Sequence, residues 1–360
     1  VSKVYLPVAP MSRAEHPVQG IMAQVMFALL PATGFGLFLF GWPAIYLFLL
    51  TVLSAVLFEA VCLKLSGKPA SLFLWDGSAL LTGWLLALSL PPWAPWWLGV
   101  TGAGLAIVVG KQIYGGIGQN LFNPAMLARV ALLVSFPLEM TTWVQPAPLF
   151  SDHGPGFLQA LAITFGGAGG IDGYTSATVI GHAKTELSQG KTLTEAFANG
   201  QFGLAGAWLG WMPGSLGETS APLVACGGLW LLRKRIITWH IPLSLLGTVA
   251  ALASVFYLID SERYLGPLWH LGSGGVMLAA FFIATDYVTS PGSPRGQLIF
   301  GAGCGLLIFV IRTWGGFPEG VGFAVLLMNA LTPVIDYYVR PRIYGRDYKG
   351  RPLKMPEGKE

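Results

Sequence analysis

Long apolar runs recur along this 360-residue chain, parted by short polar or glycine- and proline-rich breaks. A helix that crosses a membrane needs about 20 mostly apolar residues. Ten segments fit or approach that length: 21–40, 43–63, 76–91, 95–111, 123–137, 219–236, 241–260, 267–285, 296–314 and 319–337. The third and fifth are short and flanked by Gly or Pro. The long polar interruption is 138–218, which holds one semi-apolar piece, FGLAGAWLGWM (202–212), suited to a re-entrant or interfacial segment. The pattern predicts an all-α polytopic membrane protein of about ten transmembrane helices, several of them broken. It divides the chain into an N-terminal segment (1–20), a first membrane half (21–137), a loop region (138–218), a second membrane half (219–337) and a basic tail (338–360). Broken elements occur in both halves, as in folds built from two inverted repeats with sites at the repeat interface.

Composition agrees with this class. Hydrophobic residues make up 54% and charged residues 11%, with a mean hydropathy of +0.62. Soluble domains carry about 25% charged residues, so too few charges are present to coat a water-facing surface. No cleavable leader is evident, and the first apolar run reads as a retained span. With both termini cytoplasmic, 16 of the 21 Lys and Arg fall on inside segments. Lys184, Lys191, Arg263 and Arg312 fall outside, and Arg129 lies within a span. Positive charge gathers on the cytoplasmic side, so 138–218 faces outward, to the periplasm of a bacterium. The basic tail reads as a topology anchor against anionic lipid, with no nucleic-acid partner. Cys62, Cys226 and Cys304 sit in apolar runs as small buried residues, and the five histidines are scattered without metal-ligand spacing.

Several polar residues stand where apolar ones are expected. In GGIGQNLFNPAMLARVALLVSFP (115–137), a glycine-rich loop carrying Asn120 leads to Asn123-Pro124, an N-cap followed by the first residue of a helix. A helix that starts at membrane depth aims its N–H groups at whatever lies there. Arg129 follows inside it, facing a ligand, a cavity or a counter-charge on another helix. Asp76 heads a short helix, Glu218 stands in the same relation to the next half, and Asp286 ends a helix before a turn-rich break. Each either caps its helix or serves an ion path or ligand site. Glu319 starts a further helix, which carries Asn329 and ends near Asp336; Asn329 is expected to bond a neighbouring helix, and Asp336 to meet the basic tail.

The stretch GGAGGIDGYTSATVIGHAKT (166–185) is small, polar and glycine-rich. Its run Asp172-Gly173-Tyr174-Thr175-Ser176-Ala177-Thr178 resembles the flavinylation motif recognised by FMN transferases. There an acidic residue precedes a Ser/Thr–small–Ala–Thr run, and the last threonine is esterified to the phosphate of FMN. The family often has Ser-Gly-Ala-Thr where this chain has Thr175-Ser176-Ala177-Thr178. Together with GGIGQNLFNPAMLARVALLVSFP, GSLGETSAPL, ATDYVTSP and GFPEGVGFAVLLMNALTPVID, the motif resembles one membrane family over about residues 20–345. That family comprises the D subunit of the Rnf electron-transport complex and the B subunit of the sodium-pumping NADH:quinone reductase. The short segment before the first span favours the Rnf branch.

The resemblance implies a flavoprotein component of a translocase in a bacterial inner membrane. It would pass electrons between flavins while the complex couples ferredoxin/NAD oxidoreduction to sodium or proton transport. FMN would be covalent on Thr178, with Asp172, Thr175, Ser176 and Ala177 read by the transferase. The residues imply an accessible, unstructured acceptor, kept mobile by the nearby glycines. A non-covalent riboflavin among the helices is a further expectation. Asn120, Asn123 and Arg129 are its cofactor-binding candidates, and Asp76, Glu218, Asp286 and Glu319 are candidates for an ion path or for that flavin. The implied partners are the other Rnf components: the A and E membrane subunits, the flavin-bearing G subunit, the cluster-bearing B and C subunits, and the transferase. No catalytic residue or metal site is expected within the chain, and no dinucleotide-binding fingerprint is present. The competing class is a channel or solute-transporter component, which the Asn-Pro-Ala triplet at 123–125 would also fit.

Overall fold

The computed structural model describes residues 18–69, 73–151, 154–166, 175–197, 202–317, 319–340 and 351. Helix α1 is Val18–Leu65, 48 residues long, and it breaks at Gly41 (φ 71°, ψ −158°). Only glycine takes that backbone conformation without penalty, and Gly41 falls between the first two apolar runs. At 1.5 Å per residue the helix has length for two crossings of a core about 30 Å thick. Leu49, Leu53 and Leu57 are exposed at a spacing of four, which sets one lipid-facing stripe along it.

Short helices pack against that frame. Helix α2 (Ser78–Ser89) lies against α1 through Gly83, where a side chain would meet the Ala55 Cβ at 2.7 Å. Trp84 Nε1 donates to Thr33 Oγ1 at 2.8 Å. Helix α3 (Trp96–Gly104) continues into a π-helical segment, Leu105–Gln112, and α4 is Pro124–Ser135. Four later helices belong to the second half: α10 (Ala221–Arg233), α11 (His240–Ile259), α14 (Pro294–Trp314) and α15 (Val321–Tyr338). Between α11 and α14 lie α12 (Pro267–Gly272) and α13 (Val276–Leu278), which runs into a second π-helical segment, Ala279–Ile283. Each of the ten predicted segments contains helix. Among the described residues, four helices have the length and hydropathy to cross a membrane: α1, α11, α14 and α15.

Helices α11 and α14 approach closely because α14 presents glycines four residues apart. A Cβ on Gly301 would lie 2.0 Å from Ser244 Oγ, and one on Gly305 would lie 2.6 Å from the Leu245 carbonyl oxygen. Small residues at that spacing let backbones meet where lipid supplies no hydrophobic drive. Met126, Leu132, Leu231, Phe282, Phe300 and Val325 belong to one buried cluster, so the two halves share a core. Cys304 is buried as predicted, while Cys226 is exposed on the helix surface.

The interruption at 138–218 is largely folded. After α5 (Pro137–Thr141), strand β1 (Trp143–Val144) pairs antiparallel with β2 (Thr175–Ser176), Trp143 opposite Ser176. Helix α6 (Phe157–Gly166) packs Phe157 edge-on to Trp42 and Tyr46 of α1. Helices α7 (Val179–Ser188), α8 (Leu193–Phe197) and α9 (Leu204–Leu209) follow, then a 3-10 turn at Leu216–Glu218. The semi-apolar piece at 202–212 thus forms only a six-residue helix.

Candidate functional site

Thr178 is the N-cap of α7. Its Oγ1 accepts the Gly181 N–H at 3.2 Å, and the residue is 8% exposed. The expected unstructured acceptor is therefore corrected: the motif runs directly into a ten-residue helix, and threonine is a favoured cap. Asp172 and the glycines at 167, 169 and 170 lie outside the described residues, and for Thr175 only the backbone is described. Ala177 is exposed and Ser176 half-buried. Beyond Thr178, α7 is held by its own side chains. His182 Nε2 lies 3.2 Å from the Ala196 carbonyl. Lys184 Nζ donates to the carbonyls of Ile311, Gly315 and Phe317 at 2.9–3.2 Å, closing the C-terminal end of α14.

Thr178 lines a narrow cleft with Ser215, Glu218, Ser273, Gly274 and Glu319. Residues from three separate parts of the chain, including the two predicted carboxylates, thus meet at the motif's last threonine. Glu218 does not cap a helix: α10 has Ser220 at its N-cap position, and the Glu218 carboxylate instead accepts from Ser215 Oγ at 2.8 Å. Glu319, expected to start a helix, lies just ahead of α15 and forms a buried ion pair with Arg129, so Arg129 has its counter-charge in the second half. Arg129 also donates to the Ser89 carbonyl at the end of α2, satisfying backbone that a broken helix leaves open. The second Glu319 oxygen, Oε1, is buried without a partner among the described residues.

A separate cavity of about 100 Å³ lies between the two halves. Asn120, Asn123, Lys111 and Ser78 line it from the first half, and Asp286 and Phe282 from the second. Asn123 caps α4, accepting from the N–H groups of Ala125 and Met126 at 3.1 and 3.2 Å. Its Nδ2 donates across the interface to the Ile283 carbonyl at 3.4 Å. Asn329, with its amide in the orientation its neighbours require, accepts the Asn123 N–H at 3.0 Å and donates to Thr289 and Val325. Asp286 turns the chain locally, accepting from Val288 N–H and Thr289 Oγ1. Asn120 donates to the Phe122 carbonyl at 3.0 Å. The predicted polar breaks of both halves therefore converge, and each follows a π-helical segment, a distortion frequent at functional sites.

Asp76 takes part indirectly. It accepts from the N–H and hydroxyl of Ser78 at 2.7 and 2.5 Å. Ser78 Oγ in turn accepts from Lys111 Nζ at 2.7 Å, and Lys111 pairs with Glu59 at 2.9 Å. Asp336 accepts from the Gly292 N–H at 3.2 Å, a contact within the second half; the tail it was expected to meet lies almost wholly outside the described residues. Sequence reasoning missed Glu59, Lys111 and Arg312. Glu59 carried a legible signal, an acid inside an apolar span. The charge distribution assigns Lys111 and Arg312 to the segments between spans, yet they are only 2% and 1% exposed.

An all-α bundle with apolar outer stripes, buried ion pairs and helix breaks meeting at its centre defines a polytopic membrane protein with internal polar sites. Residues 6–345 match the NQR2, RnfD, RnfE family, and the chain belongs to that family. It is 60% identical to the D subunit of the ion-translocating oxidoreductase complex of Stutzerimonas stutzeri, over 93% of this chain and 94% of that protein. The D subunits of the same complex in Halorhodospira halophila and Rhodobacter capsulatus are 51% and 50% identical, covering 97% and 86% of both partners.

Proposed function

We propose that this chain is a flavin-carrying component of an ion-translocating oxidoreductase complex, with FMN joined through its phosphate to Thr178. The observation that carries this reading is the position of Thr178: the last residue of the motif lies at the head of α7 and lines a cleft. Helix N-terminal N–H groups favour a phosphate at that place, so the residues fit the group. When bound, the flavin supplies one- and two-electron transfer. Ser215 and Ser273 line the attachment cleft, while α7, fixed through Lys184 and His182, holds the anchor still. Asp172 and the residues 175–177 serve transferase recognition.

We further propose that the polar residues around the cavity between the halves form part of a site for a second, non-covalent flavin such as riboflavin, which the cavity of about 100 Å³ would have to widen to admit. Asn120, Asn123 and Asp286 offer donors and acceptors to a polar ring edge, and Phe282 offers an apolar wall. Asp76, Glu218 and Glu319 remain candidates for a sodium or proton path. The matching sequence of π-segment, break and Xaa-Pro helix start, at Asn123-Pro124 and Ser293-Pro294, supports two inverted repeats and about ten crossings. Both termini would be cytoplasmic in a bacterial inner membrane, with Thr178 on the periplasmic side. The A, B, C, E and G subunits of the complex are the proposed partners. A channel without redox function would have no use for the flavinylation motif. The test is a denaturing gel of membranes imaged under ultraviolet light. A fluorescent band at this chain's mass, lost in Thr178→Ala, is expected; an equally fluorescent Thr178→Ala band would refute the attachment site.

A further inference from the structure

The end of α14 nearest α7 holds a positive charge without a direct counter-charge. Arg312 is 1% exposed, and its Nη1 donates to the His270 carbonyl at 2.9 Å. Its Nε and Nη2 have no partner among the described residues. His270 Nδ1 and Thr313 Oγ1 are buried and unpartnered in the same way. All three residues line one cavity of about 40 Å³, together with Lys184 and Arg263. Buried polar atoms are nearly always paired, so four orphans around one small space describe a site shaped for a ligand.

The charges decide which ligand. Lys184 and Arg263 add to Arg312, and no carboxylate lines the cavity among the described residues. Glu319 and Glu218 act on Arg312 through space, but neither forms an ion pair with it, and Glu319 is committed to Arg129. Water could satisfy the hydrogen bonds but would leave the buried guanidinium charge uncompensated. Nε and Nη2 form one edge of the guanidinium fork, which matches two oxygens of a phosphate or carboxylate. Thr313 Oγ1 adds a hydroxyl donor.

We propose that this cavity binds a phosphate-type oxyanion, gripped by the free edge of Arg312 and by Thr313. The anion has two conceivable sources. One is the phosphodiester tethered at Thr178. Ile180 lines both this cavity and the Thr178 cleft, and a Cβ on Gly274, in the wall of that cleft, would lie 2.1 Å from Arg312 Nη2. The other is free phosphate or a lipid headgroup entering from outside. Only the first source rests on the flavin reading above.

The experiment follows the thermal midpoint of the full-length purified chain against inorganic phosphate at constant ionic strength. A saturable rise in the delipidated Thr178→Ala variant is expected, because neither a tethered phosphodiester nor a lipid then fills its site. Adding Arg312→Gln should abolish that rise. Thr313→Val, which removes only the hydroxyl, should weaken apparent phosphate affinity about tenfold while the protein stays folded. No saturable rise in Thr178→Ala, or an undiminished one in both site variants, overturns the proposal. Flavinylated wild type that ignores phosphate identifies the tethered phosphodiester; wild type that responds identifies a free anion. Gel fluorescence scores attachment independently, so a chain without flavin would still report on the anion site.

Discussion

Replacing Lys111 by Met would leave the Glu59 carboxylate buried without its cation. Both side chains are 3% exposed. Glu59 Oε1 would keep only the Gln112 Nε2 donor at 2.6 Å, and Oε2 has no partner among the described residues. Removing one member of a buried ion pair costs about 3–5 kcal/mol. Ser78 would lose the Lys111 donor but continue to donate to Asp76, adding about 1 kcal/mol at most. Removing both charges in Glu59→Gln/Lys111→Met eliminates the isolated carboxylate, so that double variant should lie within about 1–2 kcal/mol of wild type. Adding Glu59→Gln to Lys111→Met should therefore restore about 1–5 kcal/mol. The assay is reversible unfolding in mixed micelles titrated with dodecyl sulfate, followed by tryptophan fluorescence, on all four members of the cycle. A Lys111→Met cost below about 1 kcal/mol, or a double variant no more stable than Lys111→Met, would refute a tight buried pair.

Thr178→Ala should lose covalent flavin while its membrane insertion, scored by protease accessibility, stays unchanged. Lys184 is half-buried, and burial together with the Arg312 charge lowers its ammonium pKa to about 8. An unfolded lysine stays protonated to about 10.4. Between those values the unfolded chain holds more protons, so wild-type stability should rise with pH relative to Lys184→Met. Thermal midpoints of the two proteins at about pH 7 to 10 check the sign, and parallel curves would refute it. Gly301→Val pushes a side chain into Ser244 and the Ile241 backbone, and should destabilise the α11–α14 contact by about 1–3 kcal/mol or more. A reporter fused after about residue 150 should be active only outside the cytoplasm, and cytoplasmic activity would reverse the orientation.

The local structure was more legible than the long-range pairing. Apolar run lengths located the helices, and Asn123-Pro124 announced the start of α4 because cap chemistry is written in adjacent residues. Gly41 lies in the gap between two runs for the same reason. The pairing of Arg129 with Glu319, 190 positions away, has no local signature. Nor do the π-helical segments, since an apolar run such as LAIVVG reads alike in either helix. The folded state of Thr178 was within reach: a threonine ahead of VIGHAKTEL is an N-cap signal. The glycines in front of it, a composition typical of mobile loops, outweighed that signal. Lys111 and Arg312 stood at the ends of apolar runs, where a loop charge and an inward-turned charge look the same.

The π-helical stretch that carries Lys111 acts as an angular adjustment. Each residue of an α-helix advances about 100° around the axis, and a wider turn absorbs one extra residue without displacing the helix above it. Were Leu105–Gln112 to wind as ordinary helix with all of its residues retained, everything after it would be rotated by about 100°. The ammonium that now meets Glu59 would then be carried round the cylinder, away from the bundle interior. The location of a charge inside this membrane bundle is thus set by a count of residues per turn as much as by the residue itself. Homologous chains that keep this residue count but lose the wide turn would be expected to relocate the cation, and with it the first-half wall of the central cavity.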